Sequence, residues 1–121
     1  MPKKFIKSFS YAQAGAVHAL RTQRNIWIHL AVAIVVLAVA IYCQVTTVEL
    51  AILVLTVTTV IVAEMLNTAI EIVVDHLSPE FREEAGLIKN VAAGAVLLAA
   101  AGAVAVGWLV LFPRIWRLYG H

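Results

Sequence analysis

Three long stretches of this chain carry no charge, and they constrain its fold more than any other feature. Leu30–Val48 and Val91–Phe112 contain no charged residue, and Leu50–Ala63 is apolar apart from its threonines. About 20 apolar residues are enough to cross the hydrocarbon core of a bilayer. We therefore predict one all-α integral membrane domain in which the middle helix runs on past residue 63. The predicted transmembrane helices cover residues 27–44, 48–75 and 87–112.

The composition agrees with this prediction. The chain has 121 residues, of which 63% are hydrophobic and only 13% are charged. Such values exclude a disordered segment and are unusual for a soluble domain. The N-terminal 25 residues are too polar to hold the apolar core of a cleavable signal peptide.

Residues 4–22 are predicted to form an amphipathic helix that lies on the membrane surface. At about 100° per residue, two faces with different chemistry separate. The apolar face holds Phe5, Phe9, Ala12, Ala16 and Leu20, and the polar face holds Lys4, Lys7, Tyr11 and His18. A helix with a basic face and an apolar face suits the interface of anionic lipids.

The basic residues predict the orientation in the membrane. Seven of them precede the first predicted span or lie between the second and third, whereas Arg114 and Arg117 follow the third span. The short connection "QVTTV" has none. Because Lys and Arg favour the cytoplasmic side, we expect a protein of the bacterial inner membrane with its N-terminus in the cytoplasm.

The stretch "AEMLNTAIEIVVD", residues 63–75, places acidic residues at the end of the second span. On a helix, Glu64, Asn67, Glu71 and Asp75 share a stripe about 80° wide. Such a stripe cannot face lipid, because each charge near the bilayer centre costs roughly 2.5 kcal/mol or more. Three helices offer little interior in which to hide it, so we also expect a homo-oligomer.

The residue types in and near the stripe indicate phosphoryl transfer. Carboxylate and amide oxygens suit Mg²⁺, which also takes phosphate oxygens and keeps water. Lys89 is a natural contact for phosphates, and Asn90 could add a polar group. A carboxylate deeper in the membrane could act as general base on a hydroxyl. The alternatives that remain are a proton or cation pathway through the membrane and a purely structural polar face.

Other familiar sites are missing from the sequence. Neither G-x-x-x-x-G-K-[ST] nor G-x-G-x-x-G occurs, so a glycine-rich phosphate loop is not expected. The four histidines do not have the spacing of zinc ligands. Cys43 is the only cysteine and is predicted to be a small apolar filler. We expect no nucleic-acid partner.

The chain resembles the prokaryotic diacylglycerol kinase family, which includes undecaprenol kinases. The resemblance rests on "RTQRN", "AEMLNTAIEIVVD", "SPE" and "KNVAAGAVL", and it extends from about Phe9 to Pro113. It implies a homotrimer of three-span subunits that share active sites between neighbouring chains. The implied reaction transfers the γ-phosphate of MgATP to a lipid hydroxyl at the cytoplasmic face, in phospholipid biosynthesis or in recycling of cell-envelope lipids.

The resemblance also implies roles for particular residues. Glu64 would be the general base on the lipid alcohol, and Glu71 would hold Mg²⁺. Asn67 and Asp75 would line the nucleotide or metal site, and Lys89 would contact phosphates. The residues implied to lie near the nucleotide are Tyr11, Glu80, Phe81 and Arg82.

Two amides depart from the family pattern. Gln23 stands where many members have a glutamate that helps to bind metal, and Asn90 stands where an aspartate usually follows the lysine. Gln23 remains a candidate metal ligand and Asn90 a candidate nucleotide contact, because an amide oxygen can still ligate a cation. Neither brings negative charge, so we expect one Mg²⁺ held by Glu71 to suffice. The run "EFR" at residues 80–82 also replaces a common aromatic–histidine pair.

The sequence fits two lipid substrates. Diacylglycerol and undecaprenol both present a primary alcohol, and the short chain with "TQRN", "SPE" and "VAAGAV" is more similar to the undecaprenol kinase branch.

Overall fold

A computed structural model describes residues 2–80 and 82–120, which form four helices and, within those ranges, no strand. The helices are α1 (Pro2–Thr22), α2 (Arg24–Tyr42), α3 (Thr47–Leu77) and α4 (Glu83–Tyr119). The last three are each long and apolar enough to cross a membrane. The predicted fold class, an all-α membrane protein with three long apolar helices, is confirmed.

Helix α1 lies at the edge of the bundle and buries only Ala19. Its apolar face remains open, and Phe5 is 78% exposed. The helix ends where Gln23 takes an extended conformation, with φ −112° and ψ 107°, and α2 begins at the next residue. The indole Nε1 of Trp27 donates to the carbonyl of Leu20 across this break. That bond ties the start of α2 to the end of α1.

The connection between α2 and α3 is tight, which makes the two helices an antiparallel hairpin. Gln44 has a positive φ of 55°, a conformation that only a few per cent of residues other than glycine adopt. The N-terminus of α3 carries a capping box: Glu49 N–H donates to Thr46 Oγ1, and Thr46 N–H donates to Glu49 Oε1, each over 3.1 Å. Cys43 is buried beside the connection, as expected for a filler.

The hairpin packs through a seam with a seven-residue repeat. Along α2 the buried residues are Ile26, Ala33 and Ala40, a spacing typical of helices that wind around each other. Ala40 and Leu53 form one buried cluster with Val110 of α4. We call this the far end of the bundle. The site end is the opposite one, formed by the N-termini of α2 and α4 and the C-terminus of α3.

Helix α3 is longer than a bilayer requires. Its 31 residues extend for about 46 Å at 1.5 Å per residue, whereas the hydrocarbon core is about 30 Å thick. The acidic stripe occupies the last turns of this helix. Its terminal residues can therefore project beyond the hydrocarbon while the beginning of the stripe stays within it.

Helix α4 runs on to Tyr119, past the predicted end at residue 112 and through Pro113. Proline removes one backbone hydrogen bond from a helix, but contacts of side chains hold the following turns. Arg114 forms an ion pair with Glu49 of α3, and the Tyr119 hydroxyl lies 3.1 Å from that of Tyr42. The predicted transmembrane segment, residues 87–112, was based on the apolar run and lies within this longer helix.

Candidate functional site

Glu64 is the most deeply placed charged group of the stripe. Its side chain is only 4% exposed, and the Thr68 hydroxyl donates to its backbone carbonyl over 3.0 Å. A single chain therefore buries this carboxylate, whereas the rest of the stripe is half-buried or exposed, and the expected homo-oligomer stays a prediction.

One turn further along α3, Asn67 and Glu71 interact with each other. Asn67 Nδ2 donates to Glu71 Oε1 over 3.1 Å. The amide oxygen of Asn67, Oδ1, is buried and has no hydrogen-bond partner among the described residues. A buried acceptor without a donor is rare in proteins, and it is a position that a cation or its bound water can satisfy.

Asp75 and Lys89 meet at the site end of the bundle. Lys89 Nζ of α4 forms an ion pair with Asp75 Oδ1 of α3. The Asp75 side chain is 65% exposed, so this pair lies in a polar, accessible environment. An exposed pair of this kind contributes little to stability, which leaves the ammonium group available to an anionic ligand.

Exposure rises steadily along the stripe. Glu64 is buried, Asn67 and Glu71 are half-buried, and Asp75 is exposed. The sequence predicted that these four side chains share a face, and α3 gives them that spacing. The site thus has a buried carboxylate at one end and an accessible, charged region at the other.

The structure does not connect the remaining predicted residues to the stripe. No hydrogen bond within residues 2–80 and 82–120 joins any of them to it. Tyr11, Glu80, Arg82 and Asn90 are exposed, and Gln23 is half-buried with no capping bond from its side chain. Phe81 lies outside the described residues. Their predicted roles at the nucleotide or metal remain predictions.

The described residues contain no group of three or more His, Cys, Asp or Glu side chains arranged to hold a metal ion. This does not conflict with Mg²⁺, which is typically bound by one or two carboxylates together with water and substrate phosphates. Glu71 offers one carboxylate, and the unpaired Asn67 Oδ1 offers a neighbouring oxygen. These two residues fit a hard cation of that kind.

An apolar groove of about 560 Å³ lies between α2, α3 and α4. Its walls include Val32, Val36, Leu53, Val60, Ala103 and Trp108. His29 lines the groove near the site end and is its one ionisable wall residue. The same imidazole, through Nε2, lies 3.3 Å from Glu64 Oε1. The groove therefore ends beside the buried carboxylate.

His29 is the residue of the site that the sequence analysis missed. His29 was considered there only as a possible zinc ligand, and among the described residues it has no partners for that role. The register of the hairpin explains the pairing of His29 with Glu64: Ala40 lies eleven residues beyond His29, and Leu53 lies eleven residues before Glu64. Since Ala40 and Leu53 are in one cluster, antiparallel packing brings His29 to the level of Glu64.

Together the fold and the site define a class: an all-α membrane protein whose long helical hairpin carries a buried carboxylate beside an apolar groove. A model of the family described as "Prokaryotic diacylglycerol kinase" matches residues 10–111. The chain belongs to the prokaryotic diacylglycerol kinase family.

Named relatives agree with this assignment. A diacylglycerol kinase of Synechocystis is 43% identical over 112 residues, which are 92% of this chain and 64% of that protein. An undecaprenol kinase of Bacillus subtilis is 34% identical over 112 residues, which are 93% of this chain and 91% of that protein. A diacylglycerol kinase of Escherichia coli K12 is 38% identical over 88 residues, which are 71% of this chain and 69% of that protein.

The family and these names support a lipid kinase, and they do not favour the transporter alternative. Membership of a kinase family implies ATP as phosphate donor. The three apolar helices and the bacterial relatives together support a bacterial membrane protein.

Proposed function

We propose that this protein transfers the γ-phosphate of MgATP to the primary hydroxyl of a membrane lipid at the cytoplasmic interface. The observation that carries the proposal is the gradient of exposure along α3, from buried Glu64 beside an apolar groove to the exposed Asp75–Lys89 pair. A lipid kinase needs both a buried, apolar region and an exposed, charged one, because its lipid substrate is apolar and ATP is a water-soluble polyanion.

Glu64 is the general base in this proposal. One carboxylate oxygen accepts the proton of the lipid hydroxyl as the hydroxyl oxygen attacks the γ-phosphorus. The bond from that phosphorus to the β–γ bridging oxygen breaks, and ADP leaves with the bonding electrons. Burial of Glu64 excludes water, which would otherwise compete with the lipid for the phosphoryl group.

Glu71 and Asn67 would hold Mg²⁺, and Gln23 is a further candidate ligand from the junction of α1 and α2. When bound, Mg²⁺ neutralises phosphate charge and orients the triphosphate for in-line displacement. Glu71 supplies the negative charge that a hard cation requires. Asn67 holds the Glu71 carboxylate through its Nδ2–H and presents Oδ1 as an oxygen ligand.

The nucleotide lies at the site end. Lys89 contacts its phosphates as a point charge, and Asp75 positions Lys89 through their ion pair. The residues proposed to surround the rest of the nucleotide are Tyr11, Glu80, Phe81, Arg82 and Asn90. Their support is the family resemblance of the segments that carry them, together with the exposure of the four described ones.

The lipid chain occupies the groove, with its hydroxyl at Glu64. A long, flexible hydrocarbon suits walls that are almost entirely apolar. Diacylglycerol and undecaprenol share the required primary alcohol, and relatives of both names are similar to this chain. The similarity of "TQRN", "SPE" and "VAAGAV" to the undecaprenol kinase branch favours undecaprenol as the first lipid to test.

We also propose a homotrimer in the inner membrane with a cytoplasmic N-terminus. Gly94 and Gly102 lie within about 80° of each other around α4, and their Cβ positions meet no neighbour within 4 Å in one chain. Small residues commonly mark faces where membrane helices pack closely. A neighbouring chain that covers this face would complete a shared site.

The experiment uses purified protein in mixed micelles with MgATP and a panel of lipid alcohols. Release of ADP that depends on the lipid supports the kinase, and the order of kcat/KM across the panel identifies the lipid. ATP turnover that is indifferent to every lipid alcohol would contradict the proposal. Ion flux into liposomes without use of ATP would support the transporter instead.

A further inference from the structure

The contact between His29 and Glu64 joins two helices at the deepest point of the site. Nε2 of His29 on α2 lies 3.3 Å from Oε1 of Glu64 on α3. Within residues 2–80 and 82–120, no other side chain forms a hydrogen bond with this carboxylate. The His29 side chain is 25% exposed, whereas that of Glu64 is 4% exposed.

A buried carboxylate needs a donor. Removing an ionised carboxylate from water is costly unless hydrogen bonds or a countercharge compensate. A carboxylate only accepts hydrogen bonds, so the imidazole must supply the proton of the shared bond. Since the contact is made through Nε2, the working form of His29 carries a proton on that nitrogen.

The remaining surroundings of His29 offer no competing partner. Its other side faces the groove, whose α4 wall at this level consists of Ala100, Ala103 and Val104. Thr56, the one residue with a hydroxyl among the described residues of the groove wall, is eight residues from Glu64 along α3, which is about 12 Å at 1.5 Å per residue and too far to accept from His29. Of the groups that line the groove or contact His29, Glu64 is therefore the one that can accept from its imidazole.

We propose that His29 is a positioning residue for Glu64. The Nε2–H of His29 donates to Glu64 Oε1, which turns Oε2 toward the end of the groove where the lipid hydroxyl arrives. His29 gives up no proton in the reaction: the hydroxyl proton passes to Oε2, the new O–P bond forms, and ADP leaves as described above. This inference rests on the proposed function, because it assumes that Glu64 is the base.

A positioning role makes a different prediction from a role in the wall of the groove. If His29 only shapes the groove, its replacement changes the KM for lipid, whether or not Glu64 is present. If it orients Glu64, its replacement lowers kcat and does so only while the carboxylate is there. Misplacing a reacting group by about 1 Å can cost roughly 10²-fold in rate.

The test combines two substitutions of His29 with a substitution of Glu64. His29→Phe keeps a ring of similar size but removes the donor, and His29→Gln keeps an N–H donor. We expect His29→Phe to lower kcat by about 10-fold or more with little change in the KM for lipid. His29→Gln should keep most of the wild-type kcat. His18→Phe, at an exposed position on α1, is the matched control and should resemble wild type.

The decisive step is the double-mutant cycle. In a Glu64→Gln background, His29→Phe should have no further effect on the residual kcat. An equal loss in both backgrounds would overturn the inference, as would a His29→Gln variant as slow as His29→Phe. If His29→Phe does not fold, His29→Met removes the donor with a more adaptable side chain, and the same comparisons apply.

The outcomes separate this inference from the proposed function. Wild-type turnover by Glu64→Gln would show that Glu64 is not the general base, and His29 would then have no base to position. Loss of turnover in Glu64→Gln together with wild-type kcat in His29→Phe would overturn the positioning role alone and leave the kinase intact.

Discussion

Asn67 donates from Nδ2 to Oε1 of Glu71 over 3.1 Å, and this bond leaves the Asn67 amide oxygen buried without a donor. The pair thus orients one carboxylate and leaves one further oxygen without a partner beside it. A hard cation with phosphate and water in its remaining positions fits that arrangement.

Glu71→Gln should weaken the dependence of activity on Mg²⁺ and the affinity for ATP together. An amide brings no charge to the cation, and even partners outside the first coordination shell are worth roughly 10–100-fold in metal affinity. We expect the free-Mg²⁺ concentration at half-maximal activity to rise by roughly 10-fold or more. The control is Glu83→Gln, which removes an exposed acid at the start of α4. A titration curve for Glu71→Gln that matches wild type would make Glu71 a structural residue.

Lys89→Met should raise the KM for MgATP by roughly 10-fold or more, since hydrogen bonds to charged groups are worth about 1.5–3 kcal/mol. Asp75→Asn should have a smaller effect in the same direction, because it only loosens the position of the ammonium group. Thermal unfolding should change little in either variant, as the pair is exposed. If Lys89→Met lowers stability and leaves the KM for MgATP unchanged, the pair has a structural role instead.

The amides Gln23 and Asn90 should make this enzyme less demanding of a second cation. Acids at both positions would add two negative charges near an anionic triphosphate, and such charges are tolerable only when a cation neutralises them. The double variant Gln23→Glu/Asn90→Asp should therefore need more free Mg²⁺ at fixed MgATP than wild type. An unchanged titration would mean that these residues do not set the number of metal ions.

The orientation in the membrane can be tested with single cysteines. The buried Cys43 is first replaced by alanine so that it cannot react. A cysteine at position 7 should then be labelled from the cytoplasmic side only, and one at position 47 from outside only. Thr47 is exposed and spares the capping side chain of its neighbour Thr46. The reverse pattern would place the site on the wrong side of the membrane for ATP.

Much of the fold follows from local features of the sequence. The uncharged runs predicted three membrane helices, and helical spacing predicted that Glu64, Asn67, Glu71 and Asp75 share a face. Both depend only on residues close together in the chain.

Features that depend on packing between helices were missed. The extension of α4 through Pro113 relies on contacts with α2 and α3, such as the Arg114–Glu49 ion pair. The pairing of His29 with Glu64 depends on the register of the hairpin, which the unusual conformation of Gln44 and the capping box of α3 help to set. Neither the extension of α4 nor the pairing of His29 with Glu64 can be predicted from hydrophobicity or helical periodicity.

The central claim is that Glu64 takes the proton of a lipid hydroxyl while phosphate passes from ATP to that lipid. The direct measurement follows radioactive label from the γ-position of ATP into material extracted with organic solvent, for wild type and for Glu64→Gln. We predict labelled lipid phosphate with wild type. With Glu64→Gln the rate should fall by roughly 10²-fold or more, the usual scale for loss of a general base. The affinity for MgATP should be nearly equal in both proteins. Label that stays in the aqueous phase with wild type, or near-normal transfer by Glu64→Gln, would contradict the account.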